Sequence, residues 1–198
     1  MNFKTSFRII AISGLLVLNS CAENKKTNSP VNQNDKLIAQ ANILAVEEKI
    51  PTISEVLSAD VGFTKLFGIV TSTGYDKKFE EKGPYTIFAP TNGALDRLPP
   101  KMLENLKKPE NQEKLLSILN YHVIPGVINR QDIIKAIKEY GGSVKLKTIG
   151  GTRLTASMKG DKIYLIDERG NAGRLMNNDI EASNGIIHTT EAVMMPKQ

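Results

Sequence analysis

From residue 51 onward the apolar positions follow first a helical period and then an alternating one. Thr52-Ile53-Ser54-Glu55 has the form of a capping box, in which Thr52 and Glu55 each satisfy a backbone donor, so a helix is predicted to start there. Phe63, Leu66, Phe67 and Val70 recur at i, i+3, i+4 and i+7, the stripe of an amphipathic helix. Residues 75–83 are polar and charged and read as a connection. Tyr85, Ile87 and Ala89 then alternate with Thr86 and Phe88 in a short strand, which ends at Pro90 because proline lacks a backbone donor. Thr91 and Asn92 offer oxygens to cap a helix over Ala94, Leu95 and Leu98. Pro99-Pro100 breaks the chain. Met102, Leu103 and Leu106 predict a short helix, and Leu115, Ile118 and Leu119 another that runs into a strand at Tyr121-His122. Asn129 can cap a helix carrying Ile133, Ile134 and Ile137, closed by Gly141-Gly142.

Past Ser143 the period becomes two. Val144 and Leu146, then Leu154 and Ala156, mark half-buried strands, and Lys159-Gly160-Asp161-Lys162 marks a hairpin turn before Ile163-Tyr164-Leu165-Ile166. Residues 168–173 form a polar loop before Arg174-Leu175-Met176. Asn184-Gly185 is a turn tolerant of positive φ, leading into Ile186-Ile187-His188. Helices dominate the front half and strands the back half, so the class is α+β.

The first fifty residues obey different rules. Lys4 and Arg8 precede an apolar core over residues 9–18, too short to span roughly 30 Å of hydrocarbon and suited to an export signal. Leu18-Asn19-Ser20-Cys21 resembles the bacterial lipobox, which makes residues 1–20 a lipoprotein signal peptide and Cys21 a lipid-modified anchor. A cysteine incidental to a signal cleaved farther on is the alternative. Residues 22–36 hold one valine and no other large apolar side chain, so they read as a disordered tether with a reach of roughly 20–25 Å. Residues 37–49 are more apolar and read as a leading helix or a strap. The expected division is therefore 1–20 signal, 21–50 tether and leader, and 51–198 a single domain.

Three ordered stretches resemble the signatures of the fasciclin-like domain family. They are Thr86-Ile87-Phe88-Ala89-Pro90-Thr91-Asn92, Tyr121-His122-Val123-Ile124-Pro125-Gly126, and Asp179-Ile180-Glu181-Ala182-Ser183-Asn184-Gly185-Ile186-Ile187-His188, the last followed by Met195-Pro196. The resemblance implies a fasciclin-like fold, with helices mainly from the first half packed on a β-wedge of about seven strands. It also implies adhesion through receptor-binding positions, which map here to Asp179 and Ile180 beside the closing motif, and to Tyr121 and His122. Each has a structural alternative. Ile180 reads equally as a buried strand anchor, Asp179 as a turn or cap residue, and His122 and His188 as buried, hydrogen-bonded imidazoles.

Composition narrows the chemistry. Of 198 residues 40% are hydrophobic and 6% aromatic, with no Trp, so the core rests on Ile, Leu, Val and Met. Cys21 is the sole cysteine, which leaves an exported domain to be stabilised by packing without an internal disulfide. Without residues 1–20 the chain carries 24 basic against 21 acidic residues, dispersed rather than striped, and no nucleic-acid partner is indicated. No G-x-S-x-G elbow, phosphate-binding glycine loop or H-x-x-x-H spacing occurs, so no catalytic residue, metal or cofactor is assigned. The expected function is a membrane-anchored, extracytoplasmic adhesion or interaction module in the cell envelope, non-enzymatic, with an unknown protein or glycan partner. The alternative is an envelope protein that binds a small molecule or polysaccharide, with or without hydrolysis, through an accessible His122 or His188.

Overall fold

The computed structural model describes residues 49–80 and 83–197. The expectations for the signal peptide, Cys21, the tether and nearly all of the leader lie outside the described residues.

Helix α1 (Ile53–Ala59) opens on the expected capping box: Thr52 Oγ1 accepts from Glu55 N at 3.2 Å, and Glu55 Oε2 accepts from Thr52 N at 2.6 Å. That second bond holds the Glu55 carboxyl below its ordinary range. A 3-10 turn (Val61–Phe63) leads into α2 (Thr64–Ser72), which buries Leu66, Ile69 and Val70. The expected connection instead holds α3 (Asp76–Glu80). Its cause is the Tyr75–Phe79 pair, one turn apart, both buried with ring centroids 5.1 Å apart. Helices α4 (Asn92–Asp96) and α5 (Met102–Leu106) follow strand β1 (Tyr85–Pro90), then α6 (Gln112–Tyr121), β2 (Val123–Pro125) and α7 (Arg130–Glu139). Strands β3 (Ser143–Lys147), β4 (Arg153–Lys159), β5 (Lys162–Ile166), β6 (Ala172–Ala182) and β7 (Gly185–Thr190) complete the domain.

The seven strands form one sheet in the order β2-β1-β7-β6-β5-β4-β3. Only β1 and β7 run parallel, so the last strand inserts between the first and the sixth. This sets the opening and closing signatures side by side, with Tyr85 opposite Gly185 and Phe88 opposite His188. A Cβ on Gly185 would come within 2.0 Å of Tyr85 O, so only glycine permits this approach. The register of β6 on β7 shifts between Leu175 and Asp179, and this irregularity separates the half of β6 paired with β5 from the half paired along β7.

Two apolar cores result. One packs Ile53, Leu57, Leu66, Ile69 and Phe79 of the helices against Ile87, Ala89 and Ile187. The other packs Ile133 and Ile137 of α7 against Leu154, Ile163, Leu165 and Leu175. Each fully buried Leu or Ile contributes about 1.5–3 kcal/mol of transfer free energy. β1 is therefore buried from Thr86 to Pro90. Phe88 enters the second core, and the zero-exposure Thr86 hydroxyl donates to Gly126 O and accepts from Ile128 N.

Three local expectations change. Tyr121 is the last residue of α6 and His122 its C-cap, so the strand starts only at Val123. His122 Nδ1 bonds back to Ile118 O, one turn earlier, and this holds the helical geometry through the signature. Thr91 caps α4, but Asn92 reaches across to the 3-10 turn and α2: it accepts from Lys65 N and donates to Val61 O and Thr64 Oγ1. Asn184 serves its turn through its side chain, accepting from Ile53 N at 2.9 Å and donating to Phe79 O.

Candidate functional site

Asp179 and Ile180 lie on β6 beyond the register shift, and His188 lies opposite Asp179 on β7. His188 is wholly buried and stacks on Phe88, with centroids 5.4 Å apart and planes 22° from parallel. Its Nε2 is 2.7 Å from Ile128 O and its Nδ1 is 2.8 Å from Asp179 Oδ1. A carbonyl can only accept, so Nε2 carries a proton, and a second proton lies between Nδ1 and Oδ1. The other Asp179 oxygen accepts from Arg130 N, the first residue of α7, at 2.9 Å. A carboxylate there also complements the positive end of the helix dipole. Arg130 returns the connection by donating to Met176 O and Asn177 Oδ1. Asn129 and Asp132 form a capping box at the same helix start.

These bonds fix residues 126–130 against the irregular stretch of β6. Outside them lie Val127, 53% exposed, and the exposed Asn129, Asn177 and Asn178. Ile180 is partly buried against the first core, in line with the anchor reading.

The other predicted pair is separate from this one and buried. The Tyr121 ring is inaccessible and its hydroxyl donates to Arg153 O at 3.1 Å; burial, with Glu168 adding to it, pushes that hydroxyl up to about 12. His122 Nδ1 donates to Ile118 O, and Nε2 accepts from Met194 N at 3.0 Å, which assigns the neutral tautomer with hydrogen on Nδ1. Burial pushes this imidazole below its ordinary range, the bond to Ile118 opposing. Met195 N donates to Asp167 Oδ2 next door, so His122 and Asp167 together seat the closing Met-Met-Pro stretch. The sequence reading missed Arg130, Asp167 and the side-chain role of Asn184. Of these, only the helix start beside Arg130 carried a signal, in Asn129 and Asp132.

An Asp–His pair supplies two of the three members of a hydrolytic triad. Here the nitrogen that would serve a nucleophile is occupied by Ile128 O. Among the described residues, no group of three or more His, Cys, Asp or Glu side chains is placed to hold a metal ion, and no helix is long and apolar enough to cross a membrane.

The fasciclin domain family matches residues 61–196. Protein sll1483 of Synechocystis sp. is 30% identical over 199 residues, covering 98% of both chains. Transforming growth factor-beta-induced protein ig-h3 of Sus scrofa is 30% identical over 173 residues, covering 85% of this chain and 23% of that protein. Among solved structures, a FAS1 domain pair of the insect cell adhesion molecule fasciclin I matches with a TM-score of 0.66 at 18% identity, over 74% of this chain and 51% of that one. At that identity the likeness shows the fold. The family match begins at residue 61, yet Ser183 N donates to Pro51 O and Ile53 N to Asn184, so the folded unit includes α1 as well.

Proposed function

The chain belongs to the fasciclin domain family, and on that premise we propose a non-enzymatic interaction module of the cell envelope, held on the periplasmic or cell-surface face of a bacterial membrane by lipid on Cys21. Its surface at residues 126–130 and Asn177-Asn178 engages a protein or glycan partner. The observation that carries this reading is the internal use of both imidazoles and both Asp179 oxygens. A site whose titratable groups are consumed in this way is built to hold a shape. The family resemblance, which implies adhesion, supports an adhesive role for that shape. A binder or hydrolase working through His122 or His188 needs an accessible ring nitrogen, and the sealed geometry weighs against it.

The experiment has two parts. Replacing Cys21 with Ala should abolish labelling by a fatty-acid probe in cells and release the protein from membranes; unchanged membrane association would remove the anchor from the account. The released full chain should still be retained by envelope or matrix extracts, and failure of every such surface to retain it would remove the adhesive role.

A further inference from the structure

A cavity of about 40 Å³ lies in the first core beneath α5, walled by apolar side chains that include Leu103, Leu106, Ile118 and Met195. Leu106, Ile118 and Met195 also form the floor of a second, outward-facing cavity of about 270 Å³. That volume is close to the lower end of the roughly 300–1,000 Å³ found for small-molecule sites. Its rim differs in kind from its floor: Lys114, Arg169 and Lys197 line it together with Asn111 and Ser117, and among the described residues no acidic side chain does. Among the described residues none of these three cations forms an ion pair. Arg169 is oriented by a bond from Nε to Pro196 O, and the nearby Glu168 carboxylate is turned to Lys197 N.

The partition between the two cavities is loosely held. Helix α5 has five residues, no side-chain cap and no fully buried residue, and it is entered through Lys101 at φ +66, a left-handed conformation without glycine. Met195 is an unbranched thioether that repacks readily.

We propose that this paired cavity binds a free fatty acid. Its carboxylate sits among Lys114, Arg169 and Lys197, and its chain runs over Leu106 and Ile118 toward the inner cavity as α5 and Met195 give way. The apolar floor requires a hydrocarbon, and the three cations select an anion over an alcohol or ester of equal length. The site does not involve His188, meets His122 only in the wall of the inner cavity, and lies apart from the surface at residues 126–130.

Titration of the full Cys21→Ala chain with cis-parinaric acid, a fluorescent fatty acid, followed by displacement with palmitate, tests this. The expected result is saturable binding of one equivalent, weakened at least about tenfold in the Lys114→Glu/Lys197→Glu variant, a loss of one decade in affinity or more. Both side chains are exposed, so the variant keeps the fold, which its circular dichroism checks. Hexadecanol should displace the probe at least about ten times less effectively than palmitate. Non-saturable uptake, or an unchanged Kd in the charge-reversed variant, overturns the proposal. So does equal competition by hexadecanol. Retention on phosphatidylglycerol vesicles that palmitate does not displace also overturns it, assigning the cations to a lipid surface.

Discussion

Asp179 and His188 face each other across β6 and β7, and the 2.8 Å between Asp179 Oδ1 and His188 Nδ1 joins two strands, one helix start and one loop. The chain of bonds runs from Arg130 N through Asp179 and His188 to Ile128 O, so it closes on the loop it began beside. Residues 126–130 hold their shape because a buried imidazole and a carboxylate are both consumed in fixing them.

Replacing His188 with Ala leaves Asp179 Oδ1 and Ile128 O without a partner and empties the space against Phe88. Loss of one member of such a buried pair costs about 3–5 kcal/mol when both are sealed; Asp179 is partly solvated, which lowers the expectation to about 2–4 kcal/mol. Asp179→Asn keeps an acceptor for Arg130 N and a donor for His188, and should cost about 1 kcal/mol. Urea unfolding of both variants measures this. A His188→Ala loss under about 0.5 kcal/mol would show that the pair does not hold the structure.

The closing turn makes a steeper prediction. Asn184→Ala removes the bonds to Ile53 N and Phe79 O and so loosens α1 and α3 together, at about 1.5–3 kcal/mol. Gly185→Ala drives a methyl into Tyr85 O and should exceed about 4 kcal/mol, leaving little folded protein at equilibrium. Comparable, small losses in both variants would contradict the tight seating of β7 on β1.

Much of this architecture was legible in the sequence, and the misses share a cause. Capping at Thr52 and Asn129, the stripe of α2 and the strand periods of β3 to β5 are local signals, and they are present as expected. Tyr121-His122, Asn92 and Asn184 look like local strand, cap and turn residues, but their partners lie up to 131 residues away in the chain. The alternation of β1 shows Thr86 as a polar position but not that its hydroxyl is paired inside, with Gly126 O and Ile128 N. The candidate site was legible only as a motif, since Arg130 and Ile128 complete it through tertiary placement.

His122 supplies a pH signature. Its folded-state pKa lies below the unfolded value near 6.5, so the unfolded chain binds the proton more readily. The associated stability is complete above about pH 6.5 and is lost as pH falls toward the folded value, by up to about 1.4 kcal/mol per pH unit. Denaturation midpoints from pH 7.5 down to about pH 5 should therefore fall more steeply in the parent than in His122→Asn, whose amide can keep the bond to Ile118 O without titrating. Parallel pH profiles for the two proteins would contradict the neutral, sealed imidazole.

The most direct test of the central claim compares retention of the full Cys21→Ala chain with that of the same chain carrying Val127→Asp and Asn178→Lys, on the envelope fraction of its own cells. Both substituted side chains are exposed and stand outside the Asp179–His188 bonds. Retention should weaken at least about tenfold, with unfolding stability changed by no more than roughly 0.5 kcal/mol. Undiminished retention of the doubly substituted chain would contradict the central claim.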